Sequence, residues 1–116
     1  MVVADNLIEL NNGASSNSND SGIVIERGST GDNAIFMWDE SADTFVLGTT
    51  TATGSSTGNL SVTDGALQAG SLDISGNVDV DGTLETDALS IASTAVTSTA
   101  AELNLLDGIT AGTISA

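Results

Sequence analysis

Phe36, Trp38 and Phe45 are the only aromatic side chains, so any core of large residues must be built between positions 36 and 45. Gly, Ala, Ser and Thr together make up about half of the 116 residues. Small side chains make each buried residue worth less, and a small domain buries only a modest share of its surface. Such a chain is either disordered or completes its core by repetition and by association with copies of itself. The mean hydropathy of +0.19 and the ordered recurrence of Val, Ile and Leu favour the second outcome.

The same composition restricts chemistry. The chain has no His, Cys, Tyr or Pro, and its one basic side chain is Arg27. Without His or Lys, a serine nucleophile has nothing to activate it, and the commonest general base and metal ligand are missing. No disulfide or thiolate metal site can form. No enzyme activity, catalytic residue or cofactor is expected. Sixteen acidic residues give a formal net charge of −15, which repels nucleic acid and anionic membranes. There is no 18-residue apolar run for membrane insertion, and the opening Met-Val-Val-Ala lacks the basic region of a secretory signal.

Five segments follow from the order of residues. Positions 1–21 read as a short strand or helical turn holding Val2, Val3, Leu7, Ile8 and Leu10, followed by a polar linker. Positions 22–48 read as an antiparallel meander of three strands, at Gly22–Gly28, Ala34–Asp39 and Thr44–Gly48, with short turns between. Positions 49–58, rich in Thr, Ser and Gly, read as a linker.

Positions 59–92 form a repeat. Triplets begin at Leu60, Leu67, Leu72, Val78, Leu84 and Leu89, with spacings of 7, 5, 6, 6 and 5. Most alternate apolar, polar, apolar, which is the strand period. Short strands at a near-constant spacing predict a repetitive β-solenoid or β-prism, in which no rung stands alone. The drift in spacing argues against a strict hexapeptide β-helix.

Positions 93–116 switch period. Thr99-Ala100-Ala101-Glu102 matches a capping box, Leu103 and Leu106 share a helical face, and Asp107-Gly108 supplies a stop. A helix of about two turns is predicted, too short to be stable alone. Ile109 to Ala116 read as extended. The fold class is therefore mainly β, a small meander followed by a repetitive shaft with one short helix. The predicted core is Ile23, Ile25, Phe36, Trp38, Phe45, Leu47, Leu72, Ile74, Val78, Val80, Leu84, Leu103 and Leu106.

Candidate sites are few. Asn77, Asp79, Asp81 and Glu85 imitate the start of an EF-hand loop, with Gly82 at its sixth position. Ala88 stands where the bidentate Glu belongs, so turn acids on a solvated face are the better reading and no metal site is assigned. Glu26, Asp39, Glu40 and Asp43 could be paired as glycosidase carboxylates, but turn positions explain Glu40 and Asp43. Trp38 is a candidate contact for a cell-surface glycan, with a core role favoured. Arg27 is expected to pair with an acid. Thr49 to Thr57 are too irregular for an ice-binding face.

Two stretches carry a family likeness. Ser21-Gly-Ile-Val-Ile-Glu-Arg-Gly-Ser-Thr-Gly-Asp-Asn-Ala-Ile-Phe-Met-Trp-Asp-Glu-Ser-Ala-Asp-Thr-Phe45 resembles a recurring segment of tail-fibre and related virion structural proteins of marine tailed phages, cyanophages among them. Thr97-Ser-Thr-Ala-Ala-Glu-Leu-Asn-Leu-Leu-Asp-Gly-Ile-Thr110 resembles a helical repeat of the same proteins. Together they cover about a third of the chain. The resemblance implies a shaft segment of a tail fibre in the virion, folded as an intertwined homotrimer with Leu103 and Leu106 clustered in its core. It implies other tail or baseplate proteins, and a host surface receptor, as further partners. The chain departs from that plan in being short, in carrying one copy of the helical motif, and in having no recognisable head domain. Two other classes stay open: a receptor- or glycan-binding module using Trp38, and a calcium-stabilised secreted β-solenoid using Asn77 to Glu85.

Overall fold

The computed structural model describes residues 1–110 and 112. They fall into two compact units, Met1–Leu72 and Asp73–Ala116. The chain is mainly β, with antiparallel sheets and one short helix. No helix among the described residues is long and apolar enough to cross a membrane.

In the first unit, β-branched runs separated by turn residues give β1 (Ser21–Ile25), β2 (Asn33–Asp39) and β3 (Thr44–Thr50). A two-residue strand, β4 (Thr63–Asp64), completes an antiparallel sheet of order β1-β2-β3-β4. The β2–β3 turn is fixed by the Asp39 carboxylate. Its Oδ1 accepts from the Ser41 amide (2.9 Å), the Ser41 hydroxyl (2.7 Å) and the Ala42 amide (3.0 Å). The Ser41 hydroxyl, then the Ala42 amide, hold the Asp39 carboxyl below its ordinary value, against a small opposing desolvation.

Register decides which residues share a face, because directly paired residues project to the same side. Ile23 pairs with Phe36, which pairs with Leu47, and Trp38 pairs with Phe45. Val24 pairs with Ile35, which pairs with Gly48, and Met37 pairs with Val46. The second face is the buried one: Ile35 (4% exposed) and Met37 (2%) are the buried hydrophobic residues among those described. Ile23, Ile25, Phe36, Phe45 and Leu47, expected in the core, are instead exposed, and Trp38 is half-buried. Both faces of these strands are apolar, so strand alternation does not indicate which one is covered.

Residues 50–62 make the choice by returning over the Ile35 face. The Thr50 hydroxyl donates to the Ser61 carbonyl (2.7 Å), and Val62 and Thr63 lie so near Gly48 that a β-carbon there would collide with both. Asp20, 7% exposed, ties the return in place. Its Oδ1 accepts from the Glu40 amide (2.9 Å), its Oδ2 from the Leu60 amide (2.7 Å), and its own amide donates to the Gly58 carbonyl (3.1 Å). Asn19 adds a bond from the Gly58 amide to its Oδ1 (2.9 Å). Asp20 thus joins the start of β1, the β2–β3 turn and the return segment, although it sits in a stretch that reads as polar linker. Thr49 and Thr50, at the start of the second apparent linker, belong to β3.

The repeat behaves differently from expectation. Among the described residues, positions 65–89 hold no strand. The triplets lie between bends at Gly70, Ser75-Gly76, Asp81-Gly82 and Asp87, which recur at the spacing of the repeat. A strand requires a neighbour to take its backbone bonds, and among the described residues the triplets at Leu67, Leu72, Val78 and Leu84 enter no sheet. Leu72, Ile74, Val78, Val80 and Leu84 are accordingly exposed in the single chain.

Order returns in the second unit with a hairpin whose first strand falls in the last predicted triplet, at Leu89 to Ile91, and whose turn and second strand the sequence does not advertise. β5 (Ser90–Ile91) pairs with β6 (Thr94–Ala95) across a two-residue turn. Ala92 (φ 49°) and Ser93 (φ 66°) both take left-handed conformations, as the twist of a tight hairpin demands. The Val96 amide closes the pair on the Leu89 carbonyl (2.8 Å). α1 (Ala100–Asn104) follows, shorter than the two turns expected, and continues into turns that end at Gly108. Its capping box is formed: Thr99 Oγ1 accepts from the Glu102 amide (3.2 Å), and Glu102 Oε2 accepts from the Thr99 amide (2.7 Å). These bonds to the Thr99 amide and then its hydroxyl hold Glu102 below its ordinary value, slightly opposed by desolvation. The extended run expected beyond Ile109 lies largely outside the described residues.

Candidate functional site

The uncovered face of the β1–β2–β3 sheet is the most distinctive surface of the first unit. Phe36 and Phe45 stack with centroids 5.5 Å apart at 8°, and Trp38 meets Phe45 edge-on at 5.0 Å and 71°. Stacked and edge-to-face pairs each add about 0.5–1.5 kcal/mol beyond their area, so the three rings hold one another in place without being buried. A shallow apolar depression of about 140 Å³ runs along them, bordered by Leu10, Ile23 and the three aromatics.

Trp38 is oriented by polar contacts at its rim. Its Nε1–H donates to Glu40 Oε2 (3.0 Å), and Glu40 Oε1 accepts from Asn17 Nδ2 (2.7 Å). The indole edge is therefore engaged, leaving stacking as its remaining mode of contact. On the covered side, a cavity of about 270 Å³ lies among Val24, Ile35, Thr53 and Leu60. Asp20 borders it, but both of its oxygens already accept backbone amides.

The other sequence candidates are placed apart from this face. Asn77, Asp79, Asp81 and Glu85 are exposed in the second unit, in the unpaired repeat. No three His, Cys, Asp or Glu side chains among the described residues are grouped to hold a metal ion. Asp39 is committed to the β2–β3 turn and Glu40 to Trp38 and Asn17, while Glu26 and Asp43 are exposed. Arg27, expected to meet an acid, donates to the Asp32 carbonyl (3.1 Å) and so closes the β1–β2 loop. Leu103 and Leu106 are exposed, together with Leu105, and α1 contains no buried residue.

Sequence reasoning passed over Ile35, Met37 and Asp20. For Asp20 the local signal is weak, because its partners Glu40 and Leu60 lie 20 and 40 residues away. Comparison with known proteins found no matching family model, no matching curated sequence and no matching solved structure.

Proposed function

We propose that this chain is a shaft segment of a tailed-phage tail fibre, whose core is completed by other copies of itself in an intertwined homotrimer. The observation that carries the reading is exposed area. A folded monomer of 11.5 kDa exposes about 5,800 Å², whereas this chain exposes 10158 Å². The excess is about 4,400 Å², and exposed large apolar side chains run from Met1 to Ile109.

Three further features support the reading. The bends of residues 65–89 recur at the spacing of the triplets, as rungs of a solenoid or β-prism would if neighbours from other chains supplied the pairing. Leu103 on the capped helix and Leu106 in the turn that follows it stand exposed, where three copies could bury one another's leucines. The two motifs that resemble phage fibre proteins coincide with the meander and with α1. The role in this reading is mechanical and sited in the virion: subunits share a core along the fibre axis, and the acidic surface keeps the fibre soluble.

Light scattering after size exclusion tests the reading. The expected molar mass is three times that of the chain, lowered by Leu103→Asp combined with Leu106→Asp. A well-folded monomer overturns it.

A further inference from the structure

Building on the fibre-segment reading, we infer that the face carrying Ile23, Ile25, Phe36, Trp38, Phe45 and Leu47 packs against the same face of other copies of this chain. The sheet has one covered side, over Ile35 and Met37, and one bare side. Phe45 is 68% exposed and Ile25 60%, although both lie in regular, paired strands. Aromatic side chains held rigid before contact lose little freedom on association and are enriched among residues that dominate interface energies.

Charge restricts the occupant. The chain carries 16 acids, yet the strand positions on this face hold none, and Asp39 and Asp64 belong to the opposite side. Two copies at net charge −15 repel one another over most of their surfaces. A face whose strand positions carry no acid, with Glu40 held at its rim by Trp38, is where they can meet at the smallest Coulomb cost.

Area points the same way. A standard interface takes about 800 Å² from each partner, which covers a fraction of the roughly 4,400 Å² excess. The second unit shares the deficit: every described residue from 73 to 110 is exposed except Val96. A small foreign domain seated on the meander leaves that deficit untouched, whereas a copy of the chain brings a matching surface for both units.

The absence of native cysteine makes the test direct. Leu47→Cys, on the face, is compared with Thr30→Cys in the exposed β1–β2 loop under mild oxidation, reading disulfide-linked dimers on a denaturing gel. In parallel, Phe45→Glu is assayed for molar mass on dilution. The expected results are rapid cross-linking of Leu47→Cys alone and association weakened roughly 30-fold or more by Phe45→Glu. Because Phe45 is exposed within the chain, the Ile35–Met37 core survives the substitution. A multi-chain wild type that neither variant affects overturns this face as the interface and leaves the fibre reading intact. A monomeric wild type overturns both.

Discussion

The two units reach order by different means. Residues 1–72 form a sheet with one covered face, and side chains reach across long stretches of sequence to hold its return segment. In residues 73–110, backbone pairing is confined to a tight hairpin and one capped helical turn. The first unit has a small core of its own; among the described residues of the second, the nearest to a buried side chain is half-buried Val96. The contrast shows that polar anchoring can position a backbone where apolar burial is scarce, provided that partners distant in sequence exist. Among the described residues, positions 66–84 of the repeat show no such anchoring bonds.

Met37→Ala should give the largest effect. Removing a buried Met costs about 3 kcal/mol, seen as a lower urea midpoint by Trp38 fluorescence, with amide signals of Ile91 and Thr94 unchanged. A loss spreading to the β5–β6 hairpin would break the comparison, because the units would then unfold as one.

Asp20→Asn comes next. The amide keeps one acceptor oxygen and leaves either the Glu40 or the Leu60 amide unmatched, at a cost of about 2 kcal/mol. Faster hydrogen exchange at Gly58 and Leu60, with β1–β2 pairing retained, would confirm that the carboxylate anchors the return segment. An unchanged exchange pattern would mean that packing of Leu60 and Val62 suffices.

The smallest change is expected at α1. Thr99→Ala removes the N-cap acceptor, worth about 1 kcal/mol, and should abolish the helical shifts of residues 100–104. The Glu102 half of the box depends on pH. Its folded pKa lies below the ordinary 4.5, so its contribution is complete above that value and is lost as pH falls through the lowered pKa. Asp39 in the β2–β3 turn follows the same sign, below its ordinary 3.8. Titration of the Thr99 and Ala42 amides by NMR checks both; midpoints at or above the ordinary values would contradict the bonding described.

The parts legible in the sequence are those with local causes. The strands at Ile23, Phe36 and Phe45 announce themselves by β-branched and aromatic runs between turn residues, and the helix by Thr99 and Glu102. The covered face was not legible, because Val24, Ile35 and Met37 match Ile23, Phe36 and Trp38 in apolarity, and residues 50–62 decide between them. The β5–β6 turn was hidden because Ala92-Ser93 lacks the Asn-Gly or Asp-Gly signal of such hairpins. In sequence the aromatic face reads as core, and in the structure it stands out, for one reason: its composition is that of an interior.

The sheet order leaves β1 as an outer strand, with a row of amides and carbonyls turned away from β2. An open edge accepts any passing strand, and Ile23-Val24-Ile25 has the uncharged, β-branched character that aggregation favours. Mutual repulsion between acidic chains slows such encounters, but ions limit its reach to about 8 Å at physiological strength. Yield is therefore a race between orderly and disorderly pairing. Slow synthesis at low ionic strength should favour soluble product, and rapid overproduction followed by salting should favour inclusion bodies.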